Sequence, residues 1–420
     1  MTLTLTTMRS TLLIAATFLV ASPAQGQRRV ILFIGDGVGV SYWTVARFAA
    51  DNLAVNQFKV MGLVDTRASD SRVIDSAAGA TAYASGVRTY NGAIGLAADS
   101  SPVETVLEAA GKRGWATGLV ATSSVTHATP AAFAAHVPSR AMQFEIARQM
   151  TELGVDVILG GGTRWFSAAA RPDRANLLGR LDSTHTVVTS AATFDALPAG
   201  TMRLIGLFGD NDMPPAPARA PTLPAMTRKA IDVLSKDPDG FFLMVEGSQP
   251  DWRGHDNEPI EAVVAEMLDF DAAIGVALDY QRREPDVLVL VVSDHETGGM
   301  AIETTRDSTI LGSASSGLTA AVRSLARAMG LMSDAAADTA RATSEHLQGT
   351  AATLQRQARG ARNERVVVDY TTTGHTGQMI PLFASGPGAE QFAGMIDNHR
   401  VGQLLLEIVR RPSTPARRRE

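Results

Sequence analysis

Three short fragments of this chain together carry the donors of a site able to hold several metal ions. They are Glu246-x4-Asp251-x3-His255, Ser293-Asp294-His295 and Gly374-His375-Thr376-Gly377. Carboxylates mixed with imidazoles suit zinc or a similar divalent ion, whereas calcium takes oxygen donors alone. A metal-dependent hydrolase is the first reading.

Further candidates lie upstream. The run Val30 to Ile34 leads into Gly35-Asp36-Gly37-Val38-Gly39. A strand followed by Gly-x-Gly also opens dinucleotide-binding folds, but the third glycine of that fingerprint would fall at Val40. The glycines are better read as a tight turn that leaves Asp36 facing a site. Asp75-Ser76-Ala77-Ala78-Gly79-Ala80-Thr81 offers a nucleophile, because small residues after Ser76 suit a closely packed helix whose N-terminus favours an alkoxide or a phosphate. Alone, Ser76 would be an ordinary helix N-cap. Metal ligands nearby would make its hydroxyl ionisable near neutral pH. No Gly-x-Ser-x-Gly elbow surrounds it, which disfavours an acyl-transfer triad. His127-Ala128-Thr129-Pro130-Ala131-Ala132 follows another apolar run, and Arg140 comes shortly after. A single arginine on a predicted helix is ordinarily a solvated face residue, yet its planar fork would hold two phosphoryl oxygens.

Short apolar runs rich in β-branched residues must position these groups: Val30 to Ile34, Thr117 to Ala121, Val155 to Leu159, Phe241 to Val245, Val287 to Val292 and Pro381 to Ala384. Continuous rather than alternating apolarity predicts central strands of a mostly parallel sheet with helices on both faces, an α/β sandwich. Several runs end at a chemically capable residue, such as Asp36, Glu246 or Asp294-His295, and ligands of open parallel sheets collect at the carboxyl ends of strands. Ser101-Pro102-Val103-Glu104 has the form of a capping box opening a helix through Val106, Leu107 and Ala110. Val401, Leu404, Leu405 and Ile408 predict a final amphipathic helix. Between Thr304 and Arg365 the composition shifts to Ala, Ser, Thr and Arg, and Leu318, Val322, Leu325 and Met329 follow helical spacing, so an inserted helical cap is expected there.

With 420 residues, 45% of them hydrophobic and 19% charged, the chain can bury a large core. Its net charge of -5 leaves no basic footprint for specific nucleic acid binding. The first 26 residues read as a secretory signal: Arg9, then an apolar stretch from Leu12 to Ala21, then Ala24-Gln25-Gly26 before Gln27. A membrane anchor is the alternative, but the stretch is shorter than the roughly 20 residues a span requires. Export to the periplasm or the medium is therefore expected, with a mature domain over 27–411, no membrane span and a polar tail over 412–420. The chain has no cysteine, so clamping must come from the core and from bound metal.

The fragments from the Asp36 turn through Ser76, His127 to Arg140, Glu246 to His255, Asp294-His295 and His375-Thr376-Gly377-Gln378, in this order, resemble the alkaline phosphatases. The match runs from about Arg29 to Val409 and leaves the 304–365 insert unmatched. The resemblance implies two zinc ions and one magnesium. Asp251, His255 and His375 would hold the first zinc; Asp36, Asp294 and His295 the second, beside Ser76; Asp36, Thr129 and Glu246 the magnesium. Arg140 would bind phosphate, and a homodimer is implied. His127 stands where the best-known bacterial pattern has an aspartate orienting water around the magnesium, and Trp252 where it has a lysine reaching the phosphate; both changes occur in other members. They imply weaker magnesium and faster phosphate release. His136, His185, His346 and His399 are read as structural or solvated.

The mechanism so implied is double in-line transfer of a phosphoryl group from a monoester through a phosphoserine at Ser76, faster at alkaline pH. A phosphodiesterase of the same superfamily is the nearest alternative, although Arg140 suits a dianionic monoester. The sequence after Ser76 lacks the Pro and Arg spacing of sulfatases. A silent metal- or phosphate-binding protein is disfavoured because every proposed ligand and the nucleophile are present.

Overall fold

The computed structural model describes residues 29–305 and 365–411. The expected signal segment, the body of the expected insert, with Leu318, Val322, Leu325 and Met329, as well as His346 and the tail from Pro412, lie outside the described residues.

In chain order the strands are β1 Arg29–Gly35, β2 Val60–Asp65, β3 Ala116–Ser124, β4 Val157–Gly161, β5 Thr186–Val188, β6 Leu204–Leu207 and β7 Phe241–Gly247. They continue as β8 Val287–Ser293, β9 Glu296–Thr297, β10 Met300–Thr305, β11 Arg365–Tyr370, β12 His375–Thr376, β13 Ile380–Ser385 and β14 Gly394–Asp397. Ten form one sheet in the order β14-β2-β13-β8-β1-β7-β3-β4-β6-β5. Every neighbouring pair is parallel except those of β13, which runs antiparallel to β2 and β8. The expected sandwich is thus observed.

The continuous apolar runs follow from burial on both faces. Val30, Leu32 and Ile34 of β1 enter one core with Leu119, Phe242 and Leu290, while Ile31 and Phe33 enter the other with Leu243, Val245 and Val289. The first core is closed by helices over Ser76–Ser85, Ala128–Ala134 and Asn398–Arg410; the second by Val40–Ala49, Leu223–Leu234 and Ile260–Arg283. Each such side chain contributes about 1.5–3 kcal/mol when fully buried, and truncating Phe33 to alanine costs roughly 3–5 kcal/mol through the cavity it leaves.

Three local expectations are corrected. The helix expected to open at Ser101 begins at Val106, and its capping box is Thr105 with Glu108. The Ser101 hydroxyl is taken by Asp99 (2.6 Å), and Val103 donates to Gly95 O (3.1 Å), which holds residues 101–103 extended. Arg140 lies in a turn rather than on a helix, because its N–H donates to Gly92 O (2.8 Å) and Val137 bridges Ile94. The two ends of the expected insert are strands, β10 pairing antiparallel with β11 from Met300↔Tyr370 to Thr305↔Arg365.

Candidate metal centre

The sheet delivers its donors at the carboxyl ends of its central strands. Asp36 follows β1, Glu246 lies near the end of β7, and Asp294 and His295 follow β8. All four are fully buried. Gly37 makes this convergence possible: its φ is +73°, and a Cβ there would lie 2.6 Å from Asp251 Cα, so only glycine admits both the turn and the close approach. Asp251 and His255 stand four residues apart on the short helix Gln249–His255 and share a face. His375 arrives on β12, which pairs antiparallel with β9 directly after His295.

The three site histidines are oriented from behind. His375 Nδ1 faces Ile74 O (2.8 Å), His255 Nδ1 faces Thr373 O (2.5 Å), and His295 Nδ1 faces Thr297 Oγ1 (3.2 Å). For His375 and His255 the carbonyl acceptor fixes the proton on Nδ1 and leaves the Nε2 lone pair for the site. His255 Nε2 and His375 Nε2 lie 3.1 Å apart, and Asp251 Oδ1 lies 3.4 Å and 3.7 Å from them. His295 Nε2 is 3.3 Å from Asp294 Oδ2 and 3.5 Å from Asp36 Oδ1. Donor atoms of Asp251, His295 and His375, of Asp36, Asp294 and His295, and of Asp36, His127 and Glu246 form three groups, each lying within 4.8 Å of one another.

Ser76 sits at this junction. Asp75, not Ser76, caps the helix, its carboxylate accepting from Ala78 N (3.0 Å) and Gly92 N (3.1 Å). The serine hydroxyl is thereby left for the site, 3.2 Å from His295 Nε2. Arg140 directs one guanidinium nitrogen to Asp75 Oδ2 and the other to His127 Nε2, each at 3.1 Å, and keeps part of its surface open to solvent. Trp252 lies edge-on to His127, ring centres 6.2 Å apart.

The electrostatics call for cations. Burial, then repulsion from Asp294, Asp251 and Glu246, holds the Asp36 carboxyl well above its usual range. Burial pushes Glu246 to about 8 and Asp294 to about 7. Asp251 goes the other way: the neighbouring imidazoles outweigh its burial and hold it low, while Asp251 raises His255 to about 9. Burial and the Arg140 guanidinium push His127 down to about 3, which leaves a neutral ring accepting from that guanidinium. Both oxygens of Asp36, Glu246 Oε1, Asp294 Oδ2, Thr129 Oγ1 and His127 Nδ1 are buried without a hydrogen-bond partner. Such atoms are rare unless something outside the protein meets them, and divalent cations fit this donor set.

The family model described as alkaline phosphatase matches residues 27–410. The chain belongs to the alkaline phosphatase family. It is 36% identical to alkaline phosphatase 3 of Bacillus subtilis, over 91% of this chain and 89% of that protein. The alkaline phosphatase of Escherichia coli is 32% identical over 64% of this chain and 70% of its own. The solved alkaline phosphatase of the Antarctic bacterium TAB5 superposes with a TM-score of 0.74 at 34% identity, covering 92% of this chain and 99% of that one. A variant of the TAB5 enzyme holds magnesium in its M3 site. This chain is accordingly a phosphomonoester hydrolase of that family.

Asp36, Ser76, His127, Thr129, Arg140, Glu246, Asp251, Trp252, His255, Asp294, His295 and His375 lie at or beside this centre. His136 and His185 lie elsewhere, bonded to Glu108 (3.0 Å) and to Val155 O (3.0 Å), and His399 lies on the last helix. Sequence reasoning missed the parts played by Asp75, which bonds Arg140, and by Thr297. Thr297 Oγ1 donates to Asp251 Oδ1 and meets His295 Nδ1, linking two donor groups. Their proximity in sequence to Ser76 and His295 was the one available signal.

Proposed function

We propose that this alkaline phosphatase works through a phosphoserine on Ser76, with two zinc ions and one magnesium, and is fastest at alkaline pH. The convergence of partnerless buried donor atoms beside the Ser76 hydroxyl carries this reading. Asp251, His255 and His375 would hold the first zinc, and Asp36, Asp294 and His295 the second. Asp36, Thr129 and Glu246 would hold the magnesium, with His127 beside them. A nitrogen donor there is a softer partner than magnesium prefers and supports weak retention of that ion.

When bound, the cations supply the positive charge that ionises a hydroxyl near neutral pH and stabilises a departing oxygen. Ser76 Oγ, at the amino end of its helix, attacks phosphorus in line, so that the Oγ–P bond forms as the bond to the alcohol oxygen breaks. Arg140 grips two equatorial oxygens with its fork, held in aim by Asp75 and His127. Water then attacks the phosphoserine from the opposite side, its oxygen bonding to phosphorus as the Oγ–P bond breaks; Ser76 regains a proton, inorganic phosphate leaves, and two inversions give net retention. Rate rises with pH as protons leave Ser76 and the ligand set.

Arg140 favours a dianionic monoester over a diester. Among the described residues no helix is long and apolar enough to cross a membrane. A homodimer is the association the family resemblance implies, and sedimentation velocity of the purified chain checks it. The decisive experiment is turnover of chromogenic monoester and diester substrates, with acid-quenched enzyme analysed for phosphoserine and metal content. Diester turnover exceeding monoester turnover, or an unphosphorylated Ser76, would overturn the reading.

A further inference from the structure

Glu296 is fully buried, yet no step above uses it. Its carboxylate accepts three hydrogen bonds: Oε1 from Met300 N (3.1 Å), and Oε2 from Gly299 N (3.2 Å) and from the Thr376 hydroxyl. The two backbone donors turn inward because Gly298 and Gly299 adopt φ of +86° and +58°. The third donor comes from across the β9–β12 ladder, where Thr376 faces Glu296 and His375 faces Thr297. The stem of Glu296 also supports the turn after Asp36, since a Cβ on Gly39 would meet Glu296 Cγ at 2.4 Å. Thr297 N adds a bond to Gly37 O (3.1 Å), and Gly298 N one to Gly374 O (2.9 Å).

We propose that Glu296 is a positioning residue of the metal centre, clamping the strand that carries His375 to the turn that follows His295. Its own oxygens are used by these three donors, and it acts through the backbone on either side. A buried carboxylate is retained only where its hydrogen bonds are made; these bonds join the two segments that bring His295 and His375, while the Glu296 stem and the Thr297 N–H meet the turn after Asp36. The clamp keeps His375 Nε2 close to His255 and Asp251. This inference rests on the reading that those three residues bind zinc.

Thr376→Val tests the clamp alone, since it removes the cross-strand donor at nearly constant volume and leaves Glu296 its two backbone bonds. The purified metal-free full chain is titrated with zinc against a chromogenic chelator, and with cobalt followed by its visible absorption. Thr376→Val should weaken uptake at the Asp251–His255–His375 group by roughly 10- to 100-fold, the usual effect of losing an outer partner of a metal ligand, and alter the cobalt bands. Thr376→Ser should restore both, and Glu296→Gln should reproduce the loss. Wild-type affinity and spectrum in Thr376→Val, or a loss that serine does not rescue, overturns the positioning role while the zinc reading stands. A wild-type chain that takes up no zinc overturns both.

Discussion

Ser76 Oγ lies 3.2 Å from Nε2 of His295, and the far nitrogen of that imidazole meets the hydroxyl of Thr297 rather than a carboxylate. A serine triad needs an acid behind its histidine to hold the tautomer and stabilise the imidazolium. Here the Nε2 edge also faces Asp36 and Asp294, and burial holds the ring's pKa well below its ordinary value. This geometry does not supply a triad, and it supports the proposal that His295 and Ser76 serve one bound cation. Ser76→Ala should lower kcat by several orders of magnitude, as loss of a nucleophile does, and abolish phosphoenzyme while leaving zinc content near that of wild type. Mass spectrometry of acid-quenched enzyme, with elemental analysis, checks both.

Arg140 has the geometry of a phosphate clamp because its nitrogens are separately oriented by Asp75 and His127. Hydrogen bonds to charged groups contribute about 1.5–3 kcal/mol each, so Arg140→Ala should reduce kcat/KM by at least roughly tenfold and weaken inhibition by inorganic phosphate. Arg140→Lys should recover only part, since an ammonium cannot reproduce the fork. Steady-state kinetics with phosphate as competitor measures the difference.

Metal removal should reverse the pH dependence of stability. In the metal-free fold burial pushes Asp294 up to about 7 and Glu246 up to about 8, from ordinary values of 3.8 and 4.5, and Asp36 is also raised. From about 6.5 to about 8, where unfolded histidines have lost their protons, these carboxyls and His255, raised to about 9, bind more protons in the folded metal-free chain than in the unfolded one, so stability falls as pH rises through that window; below it the lowered His127, His295 and His375 act in the opposite sense. With cations bound the same carboxylates are ionised, protons compete with metal, and stability rises over the same window. Melting temperatures from about pH 6.5 to 8, with and without a chelator, should slope in opposite directions; parallel slopes would remove the cations from the account.

Trp252 rests edge-on against His127, the ring that Arg140 meets. Trp252→Lys adds a charge at a partly exposed position, worth up to about 1 kcal/mol, or roughly fivefold tighter inhibition by phosphate. If product release limits turnover, kcat should fall in parallel. An unchanged inhibition constant would show that the indole does not occupy the place from which a lysine reaches the anion.

What could be read from the residues alone follows from where the physics is local. The runs that became β1, β3, β4, β7, β8 and β13 were legible because burial on both faces leaves no polar alternation. β2 and β14 escaped notice at the sheet's edge, where Met61, Leu63 and Met395 remain exposed. Asp36, Glu246, Asp294 and His295 were legible because each brings its own ligand chemistry at a strand end. Ser101 misled because its hydroxyl served Asp99 instead of a helix. Glu296 was invisible because its value depends on Thr376 arriving from across a ladder.

Gly79 sets local and tertiary preferences against each other. It lies inside the helix Ser76–Ser85, where alanine would be favoured by about 1 kcal/mol. A Cβ there would stand 3.0 Å from Asp294 Cβ and 3.2 Å from Asp294 O, closer than ordinary contact, so the carboxylate or the helix must shift by a few tenths of an ångström. Because Ser76 opens this helix and Asp294 lies in the same donor group as Asp36 and His295, either displacement enters the reaction geometry. Gly79→Ala should therefore leave the metal-free chain near its wild-type melting temperature while weakening zinc binding and lowering kcat more than it raises KM. Zinc titration beside thermal melts separates the two effects. Wild-type metal affinity together with a higher melting temperature would mean that propensity prevails and that Asp294 tolerates the added methyl group.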